Sequence, residues 1–212
     1  MKNKSFVLVV IAAAVVAFFA FKFLAPKAEQ ATSAAPSAPA ESFVRAHSPT
    51  FGNPMGRVTV VEWFDPECES CRMIHPTFKK IVSDYKDRVH FVLRYMPYHQ
   101  GSMYAASALE EAKELGKFEE ALDILFEKQP EWGDHHNPRS DLIPTYLARL
   151  GIAKEKLERE AVIKKHGEKI RIDEADGMRV GVRGTPTFFV NGQMLTQLGE
   201  QPLRDAIEAA LK

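Results

Sequence analysis

Cys68 and Cys71 are the whole thiol complement of this 212-residue chain, and Glu69 and Ser70 separate them. A single pair excludes a scaffold stapled by several disulfides and a zinc cluster built from cysteines alone. Three positions apart at the start of a helix, the two sulfurs come close enough to bridge. The helix N-terminus directs free N–H groups and about half a positive charge at Cys68, which favours its thiolate. Cys71, one turn further in, is the less exposed, resolving thiol. Each pKa unit removed from Cys68 is worth about 1.4 kcal/mol, or about 30 mV toward a more oxidising couple. A static disulfide is the weaker reading, because so short a loop constrains the unfolded chain little. Metal capture needs two more ligands, and none of the seven His residues stands at a paired ligand spacing near the motif. His75, four residues after Cys71, reads as a solvated helix-face residue, and His135-His136 as part of a surface loop.

A strand must deliver this pair and a helix must begin at it. Residues 58–64 are β-branched or aromatic apart from Glu62, and lie between Gly56 and Asp65-Pro66, which predicts a buried strand. A helix follows over about 68–85, with Ile74, Phe78, Ile81, Val82 and Tyr85 at helical spacing and Pro76 placed to kink it. Residues 89–95 form the second strand, ended by Pro97. The stretch of about 102–178 is helical in pattern. Ala105, Ala106, Leu109 and Ala112 mark one stripe there, and Phe118, Ala121, Leu122, Leu125 and Phe126 another. Further helices are expected over 142–150 and 157–175. Strands over 187–190 and 193–198 flank Asn191-Gly192, the signature of a hairpin with a type I′ turn. Pro202 suits the first turn of a closing helix over 203–211. The order describes an α/β domain: a parallel βαβ unit, a helical insertion, then a ββα unit that adds antiparallel strands.

Lys and Arg number 28 against 28 Asp and Glu, so the basic footprint of a non-specific nucleic-acid binder is missing. At 45% hydrophobic and 26% charged residues the composition is that of a globular domain. Lys2 and Lys4 precede an unbroken apolar run over 6–21, which residues 23–25 extend beyond Lys22. Twenty residues at about 1.5 Å each span roughly 30 Å, the thickness of a bilayer core. Residues 1–25 therefore read as an N-terminal membrane anchor or signal segment, with the anchor favoured because no small-x-small cleavage site follows promptly. Positive charges before the span place the rest outside the cytoplasm, tethered to the inner membrane. Residues 26–42 hold six Ala, three Pro and three Ser, a linker that cannot bury enough apolar surface to order itself. The remaining 43–212 form one domain.

The segment from Glu62 through Cys68-Glu69-Ser70-Cys71 to Pro76 resembles the active-site segment of the thioredoxin superfamily. Residues 184–192, Gly-Thr-Pro-Thr-Phe-Phe-Val-Asn-Gly, resemble its cis-proline strand and hairpin, and a helical insertion of this size resembles the DsbA-like branch of exported thiol–disulfide oxidoreductases. That resemblance implies a thioredoxin-like fold in which Cys68 attacks, Cys71 resolves, and Pro186 is a cis-proline beside the disulfide. Thr185 would offer backbone groups to a substrate strand. Glu62 would be the buried carboxylate that exchanges a proton with Cys71, since an acid inside an apolar strand has a raised pKa. It implies no cofactor beyond the Cys68–Cys71 disulfide. The implied partners are substrate proteins and a membrane redox partner, either a quinone-linked oxidase or a membrane reductant. The domain is expected to be monomeric. Two departures matter. Where the DsbA oxidase has Pro-His between its cysteines, this chain has Glu69-Ser70, with Glu67 just before them. Like charge opposes a thiolate, so Cys68 is expected to have a higher pKa and a less oxidising couple than that enzyme. Thr185 before the cis-proline also occurs in isomerase-type relatives. An oxidase is favoured. A reductase or isomerase of the same fold, a Cu(I)-binding CxxC protein and a non-catalytic chaperone are the alternatives.

Overall fold

The computed structural model describes residues 43–212; the expected anchor or signal over 1–25 and the linker over 26–42 lie outside the described residues. Among the described residues the frame is a five-stranded sheet in the order β1-β3-β2-β4-β5. Its centre is β2 (Val58–Phe64) and β3 (Val89–Tyr95), paired in parallel with Val58 opposite Val89 and Phe64 opposite Tyr95. Apolar side chains on both faces of both strands suit them to an interior position. Helix α1 (Glu69–Tyr85) joins them and buries Cys71, Phe78, Ile81 and Tyr85, the stripe the sequence spacing predicts. Pro76 lies inside α1 and has no N–H for the Arg72 carbonyl. β4 (Thr187–Val190) runs antiparallel to β2, opposing Phe188 to Glu62, and turns through Asn191-Gly192 into β5 (Gln193–Met194). Asn191 and Gly192 both have positive φ, 47° and 78°, as the expected type I′ turn requires.

Two strands and the helix expected over 142–150 differ most from the sequence reading. β1 (Thr50–Gly52) pairs antiparallel with β3 and was not expected, because three residues are too few to display alternation. β5 spans two residues rather than reaching 198, although Leu195 N still donates to Phe188 O at 2.9 Å. The helix expected over 142–150 is broken into a 3-10 turn at Ser140–Leu142, the short α4 (Ile143–Leu147) and a second 3-10 turn at Ala148–Leu150. Pro144 restarts the chain in the first turn of α4, and Gly151 stops it in the left-handed region at φ 74°.

The rest of the helical block comprises α2 (Ser102–Glu114), α3 (Phe118–Trp132) and α5 (Arg159–Arg179), and α6 (Glu200–Leu211) closes the chain. α1, α2, α3 and α6 share one hydrophobic core with Val60, Phe64, Phe91, Leu93 and Phe188 of the sheet. The other sheet face carries Val61, Trp63, Val92, Met96 and Phe189, packed with Phe43 and Val182. α5 begins at Arg159 because Glu158 caps it, accepting from the amides of Glu160 and Ala161. It runs past the expected end at 175 because its C-terminal half buries polar groups rather than an apolar stripe. Arg94 of β3, fully buried, meets Asp173 and Asp176 of α5 at 2.7 Å each, and Arg45 adds a contact of 2.8 Å to Asp176. Gly177 lets α5 approach the sheet, since a Cβ there would stand 2.7 Å from Trp63 Nε1.

Candidate active site

The two sulfurs stand where β2 hands over to α1. Cys68 is the N-cap of α1, in an extended conformation at φ −76° and ψ 124°, and no side chain caps the helix. The first-turn N–H groups therefore remain for the sulfur. Both cysteines are free thiols, Cys68 at 8% exposure and Cys71 at 0%. The Thr185–Pro186 bond is cis, as the resemblance implies, and Cys68 Sγ donates to the Thr185 carbonyl at 3.4 Å. Cys71 Sγ accepts from the Asp65 amide at 3.4 Å. The hydrogen bond from Cys71, aided by the Thr185 side chain and by the amides of Cys71 and Ser70, draws the Cys68 pKa down to about 5 against the opposing effect of burial. Burial first, then the bond to Cys68 and the charges of Glu62 and Cys68, push Cys71 far above its ordinary value. The two thiols thus differ by depth: the pKa of one is drawn down at the helix end and that of the other is pushed up beneath it.

Glu62 sits on the central strand, 5% exposed, on the sheet face that also carries Val60 and Phe64. Burial, followed by repulsion from the Cys68 thiolate, raises its pKa to about 8. It is therefore an acid near neutral pH, electrostatically coupled to both sulfurs.

The acidic residues around the motif do not crowd the thiolate. Asp65 is fully buried and accepts from Glu67 N, Tyr98 N, His99 Nδ1 and Ser102 Oγ, all within 2.8 Å. Glu67 Oε2 accepts from Gly101 N at 2.6 Å and Ser102 Oγ at 3.3 Å. Both carboxyl groups thus face the N-terminus of α2; burial raises the Glu67 pKa, and the Gly101 amide opposes that rise. A side chain at 101 would collide with this arrangement, its Cβ lying 2.9 Å from Glu67 Oε2. Glu69 points outward toward His135, 3.5 Å away. Repulsion from Glu67 and Glu69 is not among the leading influences on Cys68, whose pKa the hydrogen bond from Cys71 draws down first.

Asp65, His99 and Gln129 are site residues that the sequence reading did not single out. Gln129 of α3 donates from Nε2 to the carbonyls of Pro66 and Cys68 at 2.9 and 3.0 Å, and its Oε1 accepts from Arg72 Nε at 3.0 Å. The helical insertion thereby holds the loop carrying Cys68. Its signal was readable, because Gln129 interrupts the Phe118–Phe126 stripe at the next buried position. His75 is not solvated: it is half-buried, lies 2.7 Å from Asp123 and packs on Phe126 at 4.8 Å. Burial lowers its pKa. His135 and His136 are exposed, as expected, yet His135 also stacks on His99 at 4.6 Å. Among the described residues, Glu111, Glu114 and His166 come nearest to a metal-ligand grouping, but Lys165 Nζ lies 2.6 Å from both carboxylates, so they form an ion-pair network.

A dithiol at the end of the first βαβ helix, beside a cis-proline loop, defines a protein of the thioredoxin class. The thioredoxin family model matches residues 45–209, and the chain belongs to that family. It is 29% identical over 181 residues to disulfide bond formation protein D of Bacillus subtilis, covering 77% of each chain. The crystal structure of BdbD from the same organism superposes with a TM-score of 0.68 at 27% identity, covering 78% of this chain and 93% of that one. A thioredoxin-like oxidoreductase from Silicibacter pomeroyi gives 0.67 at 28% identity, covering 82% and 98%. A segment of the Na(+)/H(+) antiporter NhaA of Herminiimonas arsenicoxydans is 34% identical over 143 residues, covering 66% of this chain, and the chain spans about a fifth (21%) of that relative's length.

Proposed function

We propose that this protein is an extracytoplasmic thiol–disulfide oxidoreductase that oxidises substrate proteins through Cys68 and Cys71. The observation that carries the reading is the asymmetric pair: Cys68 with a pKa of about 5 at the helix end and Cys71 protonated and buried beneath it. A substrate thiolate attacks Cys68 Sγ of the disulfide. The Cys68–Cys71 bond breaks, a substrate–Cys68 bond forms, and Cys71 leaves with the electron pair, taking a proton from Glu62. A second substrate thiolate then attacks the substrate sulfur of the mixed disulfide, and Cys68 departs as a stable thiolate. Two electrons pass from the substrate to the pair. Glu62 recovers its proton from solvent.

What supports the oxidising direction is the leaving group. A thiolate stabilised in the reduced state shifts the couple by about 30 mV toward oxidation for each pKa unit, and Cys68 lies about four units below its ordinary value of 9.0. The Lys2 and Lys4 charges before the apolar run support export and a membrane tether, where a quinone-linked oxidase would restore the disulfide. The test mixes oxidised protein with a reduced, unfolded two-cysteine substrate. One substrate disulfide should form for each pair reduced, and Cys68→Ser should form none. An acid quench in the native host separates directions: a mostly oxidised pair supports a donor, whereas a mostly reduced pair would require a dedicated electron supply and a reductase or isomerase role.

A further inference from the structure

His99 lies in the loop between β3 and α2, and no step above employs it. Asp65 fixes the ring, with His99 Nδ1 2.7 Å from Asp65 Oδ2, while the His99 amide donates to Ser102 Oγ at 3.2 Å. Ser102 Oγ and Tyr98 N hold the same carboxylate at 2.5 and 2.8 Å, so Asp65 is not free to turn away. With Nδ1 bonded to a carboxylate, Nε2 is the nitrogen that gains or loses a proton. His135 stacks on the ring at 4.6 Å and 23°, and its own Nε2 stands 3.5 Å from Glu69 Oε1 at the start of α1. The hydrogen bond to Asp65 raises the His99 pKa against the opposing effect of burial, and the charges of Asp65, Cys68 and Glu67 add to the rise. Its side chain keeps 25% exposure, enough to exchange protons with solvent. Asp65 is the hinge of the arrangement: its carboxylate holds the imidazole and its amide donates to Cys71 Sγ.

We propose that His99, held by Asp65 and stacked on His135, is a positioning residue whose imidazolium stabilises the Cys68 thiolate and makes the reduction potential of the pair depend on the charge of that ring. A cation supplied from the β3–α2 loop would do here what Glu69-Ser70 between the cysteines cannot. The inference rests on reading Cys68 as the attacking sulfur. Its sign is fixed by the charges. Imidazolium favours the thiolate, hence the reduced pair, hence a more oxidising couple at low pH. Above the His99 titration the ring is neutral and the contribution disappears. For a partly exposed charge pair the effect is about threefold in the exchange equilibrium with glutathione, which converts to about 15 mV.

The test compares wild type with His99→Gln in glutathione redox buffers across the imidazole titration. At about pH 6 the wild type should be about threefold more easily reduced, and by about pH 9 the two should coincide. A ratio that is constant with pH, or equal to one throughout, overturns the proposal and leaves His99 a structural role. A second measurement does not depend on how His99→Gln folds. The His99 ring is titrated by nuclear magnetic resonance in reduced wild type and in Cys68→Ala. Linkage is reciprocal, so loss of the thiolate should lower the His99 midpoint by about half a unit. An unchanged midpoint refutes the coupling. Alkylation of wild-type Cys68 at the same low pH separates this failure from failure of the oxidoreductase reading. Slow alkylation sinks both, whereas fast alkylation with a pH-independent ratio sinks only the role of His99.

Discussion

Replacing Cys71 removes the largest single influence on the Cys68 thiolate, and the choice of replacement isolates one hydrogen bond. In the wild type, Cys68 titrates at about 5 against an ordinary value of 9.0, with the Cys71 thiol as first cause. A hydrogen bond to a charged acceptor is worth about 1.5–3 kcal/mol, and a pKa unit about 1.4 kcal/mol, so its loss moves Cys68 by about one to two units. Cys71→Ala should therefore bring the midpoint to about 6–7. Cys71→Ser keeps an O–H donor at the same place and should stay nearer 5. The thiolate absorbance, followed with pH in the reduced proteins, reads both midpoints, and iodoacetamide alkylation rates give an independent profile. If the alanine and serine variants titrate together, the Cys71 donor is not what stabilises the thiolate. A wild-type midpoint near 9 would refute the electrostatic account of the site altogether.

Glu62→Gln should remove a stability loss that the wild type shows between about pH 4.5 and 8. The folded pKa of Glu62, about 8, lies above the ordinary 4.5, so its contribution is complete below 4.5 and falls as pH rises toward 8. The slope is about 1.4 kcal/mol per pH unit in that window, and urea denaturation of the reduced proteins checks it: parallel pH profiles for wild type and Gln would contradict a buried, protonated Glu62. Gln129→Ala strands the Pro66 and Cys68 carbonyls and should cost about 2–4 kcal/mol, with faster proteolysis of the 66–68 loop; an unchanged denaturation midpoint would remove the clamp. Arg94→Met leaves Asp173 and Asp176 facing each other with one partner fewer and should cost about 3–5 kcal/mol, measured the same way, while thiol chemistry in the folded fraction stays intact.

What could be read from the sequence divides by the range of the interaction. β2, α1, β3 and the β4–β5 hairpin each carry their pattern within a dozen or so residues, and Cys68 and Cys71 announce themselves by spacing, whereas the cis-proline at 186 is legible through the family resemblance. Glu62 is legible because an acid in an otherwise apolar strand must be buried when that strand is central. β1 was missed because its three residues become a strand only by pairing with β3. The C-terminal half of α5 lacks an apolar stripe because Asp173 and Asp176 serve a buried arginine on β3, a partner about 80 residues away in the chain. The same holds for the site. Asp65 meets His99 34 residues later and leaves no local trace of it, whereas Gln129 marks its burial locally by interrupting an apolar stripe but not its partner Cys68, 61 residues earlier. Glu67 and Glu69 looked like a threat to the thiolate because the turn of the first toward α2 and of the second toward His135 are tertiary facts.

The central claim is that Cys68 is the attacking sulfur and Cys71 the one that resolves. It is tested most directly by exposing Cys68→Ser and Cys71→Ser to reduced substrate under mild oxidation and reading covalent adducts by non-reducing electrophoresis and mass spectrometry. The account predicts a stable mixed disulfide on Cys68 in Cys71→Ser and none in Cys68→Ser. Adducts on Cys71 in Cys68→Ser, with none on Cys68, would contradict it.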